Sequence, residues 1–282
     1  MSHASLSARI AALVALPAGA PSPEDPLIVI EELLTALENG TIRAAERGAD
    51  GVWRAVPWVK QGILIAFRFG AMADLSADSG AFSFVDKHTM PPRRFDVSDG
   101  VRIVPGGSTI RRGTYIAKGV VCMPPMFVNV GAWIGTGTMV DSHALVGSCA
   151  QIGERVHLSA AAQIGGVLEP VGASPVVIED DVIVGGNCGV YEGTVVRTRA
   201  VIGAGVVLTR GTPVYDLVNE TVYRATPDAP LEIPAGAVVV PGARAVRAPW
   251  AAEQGLSLQT PVIVKYRDER TDLATALEAW LR

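Results

Sequence analysis

The segment MVDSHALVGSCAQIGERVHLS, residues 139–159, brings Asp141, His143, Cys149 and His157 close together in the chain. A carboxylate and an imidazole two positions apart, as at Asp141 and His143, are groups that accept protons, the imidazole near neutral pH. Cys149 invites a nucleophile reading. The common catalytic patterns are missing: the chain has no GxxxxGK[ST], HExxH, GxSxG or CxxC. The GTG at 135–137 and GAG at 203–205 look like dinucleotide glycines, but both fall inside a repeat and read as corner residues. No metal site emerges from the spacing of His, Cys, Asp and Glu.

What positions these groups is a six-residue period. Apolar residues recur at Val104, Ile110, Ile116, Cys122, Val128, Ile134, Val140, Val146, Ile152, Leu158 and Ile164. The register then slips by two and resumes at Ile178, Val184, Val190, Val196, Ile202 and Leu208, with Ile233 and Val239 later. A short period sustained this long predicts a parallel β-helix, because each repeat buries one side chain and only stacked neighbours complete the core. With three hexads to a coil, Val104, Cys122 and Val140 begin successive coils and residues at matching corners stack. Two interruptions, at 165–177 and at 213–232, should lie outside the coil, where binding loops are commonly found.

Composition agrees with extensive burial: 49% of the 282 residues are hydrophobic and 18% charged. A mean hydropathy of +0.32 predicts apolar surface buried between chains, hence an oligomer. A net charge of −4 without a basic tract gives no footprint for nucleic acid, and no apolar run has the length of a membrane span. Three cysteines without CxxC spacing suit a reducing cytoplasm better than a disulfide framework. Ile10 to Ala20 resembles a secretory h-region, but it is short, lightly charged and interrupted by Pro17, so it is read as a helix instead.

Ahead of the repeats, 5–16 reads as a helix. Asp25 with Pro26 opens a second, with Ile30, Leu33, Leu34 and Leu37 on one face and Asn39-Gly40 at its end. GADG at 48–51 predicts a hairpin turn, and Pro57 opens a third helix whose apolar face, with Trp58 and Ile65, should pack on the first coil. The expected organisation is an α-rich capping domain over 1–98, a β-helix domain over 99–245 with a loop insertion at 213–232, and a C-terminal extension over 246–282. In that extension PVIVKY forms a strand, and Thr271 caps a helix carrying Leu273, Leu277 and Leu281.

The run MVDSHALVGSCAQIGERVHLSAAAQIGGVLEPVGASPVVIEDDVIVG resembles the tetrahydrodipicolinate N-succinyltransferases, hexapeptide-repeat acyltransferases of lysine and diaminopimelate biosynthesis. RIVP at 102–105, RRGTYIAKGVVCMPPMFVNVGA at 111–132, IPAGAVVVPG at 233–242, VIVK at 262–265 and AAERGADGVW extend the resemblance from about Ile30 to the end. It implies a left-handed parallel β-helix, a mainly β fold, and a homotrimer with its sites between subunits. It implies no permanently bound cofactor: succinyl-CoA or acetyl-CoA is a co-substrate, and the acceptor is a small amino-dicarboxylate. On this resemblance Asp141 positions the amine and takes its proton, and Arg102 contacts a substrate carboxylate. Gly205 and Lys265 become the candidate contacts to coenzyme A. Direct attack by an amine needs no acyl-enzyme, so Cys149 then reads as a small structural residue. His157 matches the family too and reads as a turn hydrogen-bonding group.

The departures concentrate where substrate would sit. MVDSHALVG stands where the family has MVDTWATVG, which makes His143 a second candidate for catalysis, and LSAAAQIGG stands for LSGGVGIGG. GGNCGVYEG at 185–193 replaces GARSEVVEG, so Asn187 and Gly189, candidate substrate contacts, stand for an arginine and for a second active-site carboxylate. Three readings stand open: His143 takes over as base, Glu192 or another subunit's acid fills the gap, or the acceptor differs. Loss of an arginine and a glutamate together points to altered recognition. The favoured expectation is therefore a specialised paralogue, similar to the acyltransferase-like protein of tabtoxin biosynthesis. The housekeeping tetrahydrodipicolinate enzyme and a non-catalytic trimeric scaffold are the alternatives.

Overall fold

The computed structural model describes residues 3–17, 19–76 and 83–268. The predicted helix after Thr271, with Leu273, Leu277 and Leu281, lies outside the described residues.

From Arg102 onward the chain forms short strands that fall in rotation on three ladders of ten, six and six strands. Between Arg102 and Leu208 strands three apart in the chain pair in parallel, so Ile116, Ile134 and Ile152 stack, as do Cys122, Val140 and Leu158, and Val128, Val146 and Ile164. Three hexads thus make one rung, as the period predicts. The first residue of each hexad is the inward member of its strand, and from Val128 to Ile164 these side chains are completely buried. The preceding residue faces outward, following the two-residue alternation of a strand.

Corners turn at the fourth position of the hexad, which, except at Pro125, takes a left-handed backbone from Gly113 (φ 72°) through His143 (62°), Cys149 (65°) and Ala161 (58°) to Asn187 (56°) and Gly205 (78°). This conformation suits glycine and asparagine and strains the others.

The register departs from the predicted one in three places. The opening strand is Arg102–Ile103, and Ile103 pairs with Cys122, so Val104 falls just past the strand. The turn that follows holds Gly106 and Gly107, both at positive φ, and carries one residue more than a regular hexad. Next, Ile152 pairs with Ile178 rather than with a residue 18 positions on, which makes the insertion after Ile164 eight residues long rather than two. A slip counted modulo six hides one whole hexad. Finally, the 213–232 excursion is not simply a loop. Val214–Asp216 and Thr221–Tyr223 form an antiparallel pair, and the first of them pairs in parallel with the C-terminal strand Ser257–Tyr266.

Helices α1 (His3–Ala15), α2 (Pro26–Glu38) and α3 (Pro57–Phe69) form a second layer with its own apolar core, which reaches Val130 and Cys149 of the repeats. The Asp25 side chain caps α2 by accepting from Leu27 N–H at 2.9 Å, with Pro26 next. GADG closes a hairpin of Ala45–Arg47 and Trp53–Ala55. The helix that meets the first rung is α2 rather than α3: a Cβ on Gly113 would lie 2.6 Å from Leu34, whereas one on Gly131, a rung later, would lie 2.8 Å from Ile63 of α3.

Candidate active site

The corner between the first and second ladders collects most of the predicted site residues. Its fourth-position residues on successive rungs are Pro125, His143, Ala161, Asn187 and Gly205. Each backbone N–H donates to the rung below: His143 to Pro125, Ala161 to Ser142 at 2.8 Å, Asn187 to Ala160 at 3.0 Å and Gly205 to Gly186 at 3.0 Å. His143 and Asn187 are exposed, and Asp141 sits half-buried at the start of the same turn as His143. Asp141, His143, Asn187 and Gly205, scattered over 65 residues of chain, therefore line one edge. Asp141 and Asn187 are two rungs apart, roughly 10 Å at ordinary strand spacing.

The Asp141 carboxylate is held from two sides. Its Oδ1 accepts from the backbone N–H of Ser142 at 2.7 Å, a local cap. Its Oδ2 lies 4.0 Å from Nε2 of His157, whose side chain is 13% exposed against 30% for Asp141. His157 pairs with Met139 on the first ladder, so the 18-residue offset carries its outward-facing ring to the rung beside Asp141. Sequence reasoning gave His157 a structural part; the signal for its proximity was that offset. His143, the nearer of the two in sequence, holds its ring at the exposed corner.

Arg102 and Lys265 lie far apart on the first ladder. Arg102 is exposed on the edge strand, and Lys265 lies on Ser257–Tyr266, which pairs antiparallel with Ala237–Ala245. Seven strand spacings separate them, roughly 34 Å at about 4.8 Å each. One small substrate within a subunit cannot reach both, whereas a long thioester lying along the edge spans much of that distance. The C-terminal strand also touches the edge directly, through Gln259 Nε2 donating to the Gly205 carbonyl at 3.4 Å.

Gly189 is buried in its strand on the second ladder, and the space its side chain would take is filled by the ring of Tyr191. Sequence reasoning passed over Tyr191; its signal was a tyrosine at a place where the resembling family carries valine. Glu192, the neighbouring acid, has its Oε2 engaged by Arg210 N–H at 2.7 Å. Cys149 is fully buried at a corner, and burial pushes its thiol up to about 12, with Lys60 opposing. A thiol that rarely ionises is a poor nucleophile, as its structural reading requires.

A cavity of about 520 Å³ lies between the hairpin and the third ladder. There the Arg43 guanidinium lies 3.9 Å over the ring of Trp133, which stacks on Tyr115 at 3.8 Å, and Arg43 Nε donates to Gln151 Oε1 at 3.0 Å. These contacts join the helical layer to the repeats. Among the described residues no helix is long and apolar enough to cross a membrane.

Two family models match the chain: the N-terminal part of tetrahydrodipicolinate N-succinyltransferase over residues 19–69, and the hexapeptide repeat of succinyl-transferase over 175–210. Proteins of Bradyrhizobium diazoefficiens and Nitrobacter hamburgensis, both named 2,3,4,5-tetrahydropyridine-2,6-dicarboxylate N-succinyltransferase, are 42% identical to it over 260 residues. In each comparison 90% of this chain and 89% of the relative are covered. A protein of the same name from Polynucleobacter asymbioticus is 40% identical over 93% of this chain and 91% of its own. A solved Campylobacter jejuni structure, named a 2,3,4,5-tetrahydropyridine-2-carboxylate N-succinyltransferase, overlaps 88% of this chain and 64% of its own. Its TM-score of 0.52 at 16% identity is a likeness of fold.

Proposed function

We propose, from the premise that this chain belongs to the tetrahydrodipicolinate N-succinyltransferase family, that its first-to-second corner is where a succinyl group passes from succinyl-CoA to an amine. The chain is an acyltransferase, and the acceptor we assign is the ring-opened amino-dicarboxylate form of tetrahydrodipicolinate, in diaminopimelate and lysine biosynthesis. The relatives carry that name over nine-tenths of this chain. They favour this acceptor over the specialised, tabtoxin-like one toward which residues 185–193 lean.

The observation that carries the mechanism is the Asp141 carboxylate, capped by Ser142 and facing His157 Nε2 at 4.0 Å on the edge that also holds His143 and Asn187. An amine must be neutral to attack. Asp141 accepts the proton that the nitrogen sheds as it bonds to the thioester carbonyl carbon, and His157 stands beside the carboxylate and orients it. Collapse of the tetrahedral intermediate breaks the carbon–sulfur bond, leaving the amide and the coenzyme A thiol, which takes up a proton. Backbone N–H groups along the corner are the kind of donor that stabilises the developing oxyanion. His143, exposed at the same turn, contacts the acceptor, Arg102 pairs with one of its carboxylates, and Gly205 and Lys265 follow the coenzyme A chain.

The 18-residue rungs support reading the repeats as a left-handed β-helix, with a capping domain over 1–98 and an extension over 246–282. The separate core of the helical layer supports that division. The sites are completed by neighbouring copies in a homotrimer, and three buried free thiols suit the cytoplasm. The test is thiol release from succinyl-CoA and acetyl-CoA with tetrahydrodipicolinate and 2-aminopimelate as acceptors. We expect the succinyl-CoA and tetrahydrodipicolinate pair to give the highest kcat/KM; thiol release with no pairing at all would refute the reading.

A further inference from the structure

On the three ladders the outward position of every two-residue strand carries a side chain except at Gly189. Backbone conformation does not demand glycine there, since neither Gly189 nor Gly165, which follows the strand Gln163–Ile164 one rung below, has a positive φ. What demands it is a ring. A Cβ on Gly189 would lie 2.4 Å from Tyr191 Cε2 and 2.9 Å from both Cζ and the phenolic oxygen, and one on Gly165 would lie 2.8 Å from Tyr191 Cδ1. Tyr191 is thus seated in a cradle that two absent side chains leave open. Its hydroxyl is laid against the second ladder beside Gly189, two residues from Asn187 on the candidate edge.

We propose that Tyr191 determines acceptor specificity, its phenolic hydroxyl donating a hydrogen bond to a carboxylate oxygen of the amino-dicarboxylate. This rests on the acyl-transfer reading for the location of the site. A carboxylate at position 189 would only accept hydrogen bonds, whereas a phenol also donates. The cradle holds the ring before substrate arrives, so little side-chain freedom is lost on binding. The acid next in sequence does not offer a competing acceptor at Oε2, which is engaged by Arg210 N–H.

The experiment compares wild type with Tyr191→Phe, which keeps the ring and removes only the hydroxyl, and with Gly189→Ala, whose methyl group displaces the ring. Binding of 2-aminopimelate is measured by calorimetry, and KM for each substrate by thiol release. We expect both variants to bind the dicarboxylate at least tenfold more weakly, in line with hydrogen bonds to charged groups. In Tyr191→Phe, KM for the acceptor should rise to match, while kcat and KM for succinyl-CoA stay within about twofold, the pattern of lost ground-state binding. Equal affinity in wild type and Tyr191→Phe overturns the proposal, as does a wild type that binds no dicarboxylate. Tenfold weaker binding in the variant, but no thiol release by wild type, would leave Tyr191 assigned and sink the acyl-transfer reading instead.

Discussion

In the proposed mechanism Asp141 has a structural and a chemical duty at once. One oxygen caps its own turn, and the other faces an imidazole, so the turn itself aims the carboxylate. The two histidines near it are in different positions to help. His157 lies beside the carboxylate and is mostly buried, whereas His143 is at an exposed corner with φ 62°. Asp141→Asn keeps the cap acceptor and removes the proton acceptor, so kcat should fall roughly 10² to 10⁴-fold with the melting temperature little changed. His157→Gln should also act on kcat, by about tenfold or more. His143→Ala should raise KM for the acceptor and leave kcat within about threefold. If His143→Ala loses as much kcat as Asp141→Asn while His157→Gln loses none, the imidazole at the corner is the working partner and the assignment of His157 is wrong.

At the scale of elements, the hairpin Ala45–Arg47 and Trp53–Ala55 is held against the third ladder by a buried carboxylate. Glu179 accepts from Trp53 Nε1 at 3.0 Å, from Arg197 at 2.9 Å and from Thr198 N–H at 3.1 Å. Burial pushes its carboxyl up, but the indole, the guanidinium and the backbone N–H outweigh burial and hold it below the usual carboxylate range. A carboxyl lowered in the folded state contributes stability that is complete above its unfolded pKa, about 4.3 for Glu, and is lost as pH falls through the lowered value. Glu179→Gln should therefore be less stable than wild type at pH 7, by about 3 kcal/mol for a buried charged partner lost. The gap should close as pH is lowered below 4; urea midpoints that stay equally far apart at pH 7 and pH 3 would refute this role. The hairpin itself was legible in GADG, and the α2 cap in Asp25-Pro26, because turn and cap chemistry are local. The Glu179 network was not, since Trp53, Glu179 and Arg197 meet only once the hairpin has found its rung. Register was legible only in part: Ile103 and Val104 are both apolar and branched, and which one points inward depends on the length of the Gly106-Gly107 turn.

At the scale of the whole molecule, the coil was legible because a six-residue period repeats one local event, and the edge was half legible for the same reason. Once three hexads make a rung, Asp141 and His143 share one corner and Asn187 and Gly205, 18 residues apart, share another position of the same kind, but only the eight-residue insertion after Ile164, read as two in the sequence, brings the two pairs onto one edge. Tyr191 escaped because the direction of a ring across a strand has no period to betray it. What no period describes is how copies meet, and the surface bears on that. Trp250 is 68% exposed, and Leu217, Val218, Leu256 and Leu258 are also open to solvent, on or beside the excursion and the C-terminal strand. Exposed apolar side chains on the elements that extend the first ladder are the kind of surface that a partner covers. In the proposed homotrimer each site is finished by a neighbour, so activity and assembly should fail together. Sedimentation of wild type at micromolar concentration should give about three times the 29.5 kDa chain mass. Leu258→Arg, which places a charge on this surface and touches none of the candidate site residues, should shift the protein toward the single-chain mass. Thiol release should then fall in proportion to the trimer lost. A wild type that sediments as one chain and still releases thiol at full rate would mean that one copy holds a complete site, and Arg102 and Lys265, seven strands apart on the first ladder, would then have to serve the acceptor and the thioester bound to the same copy.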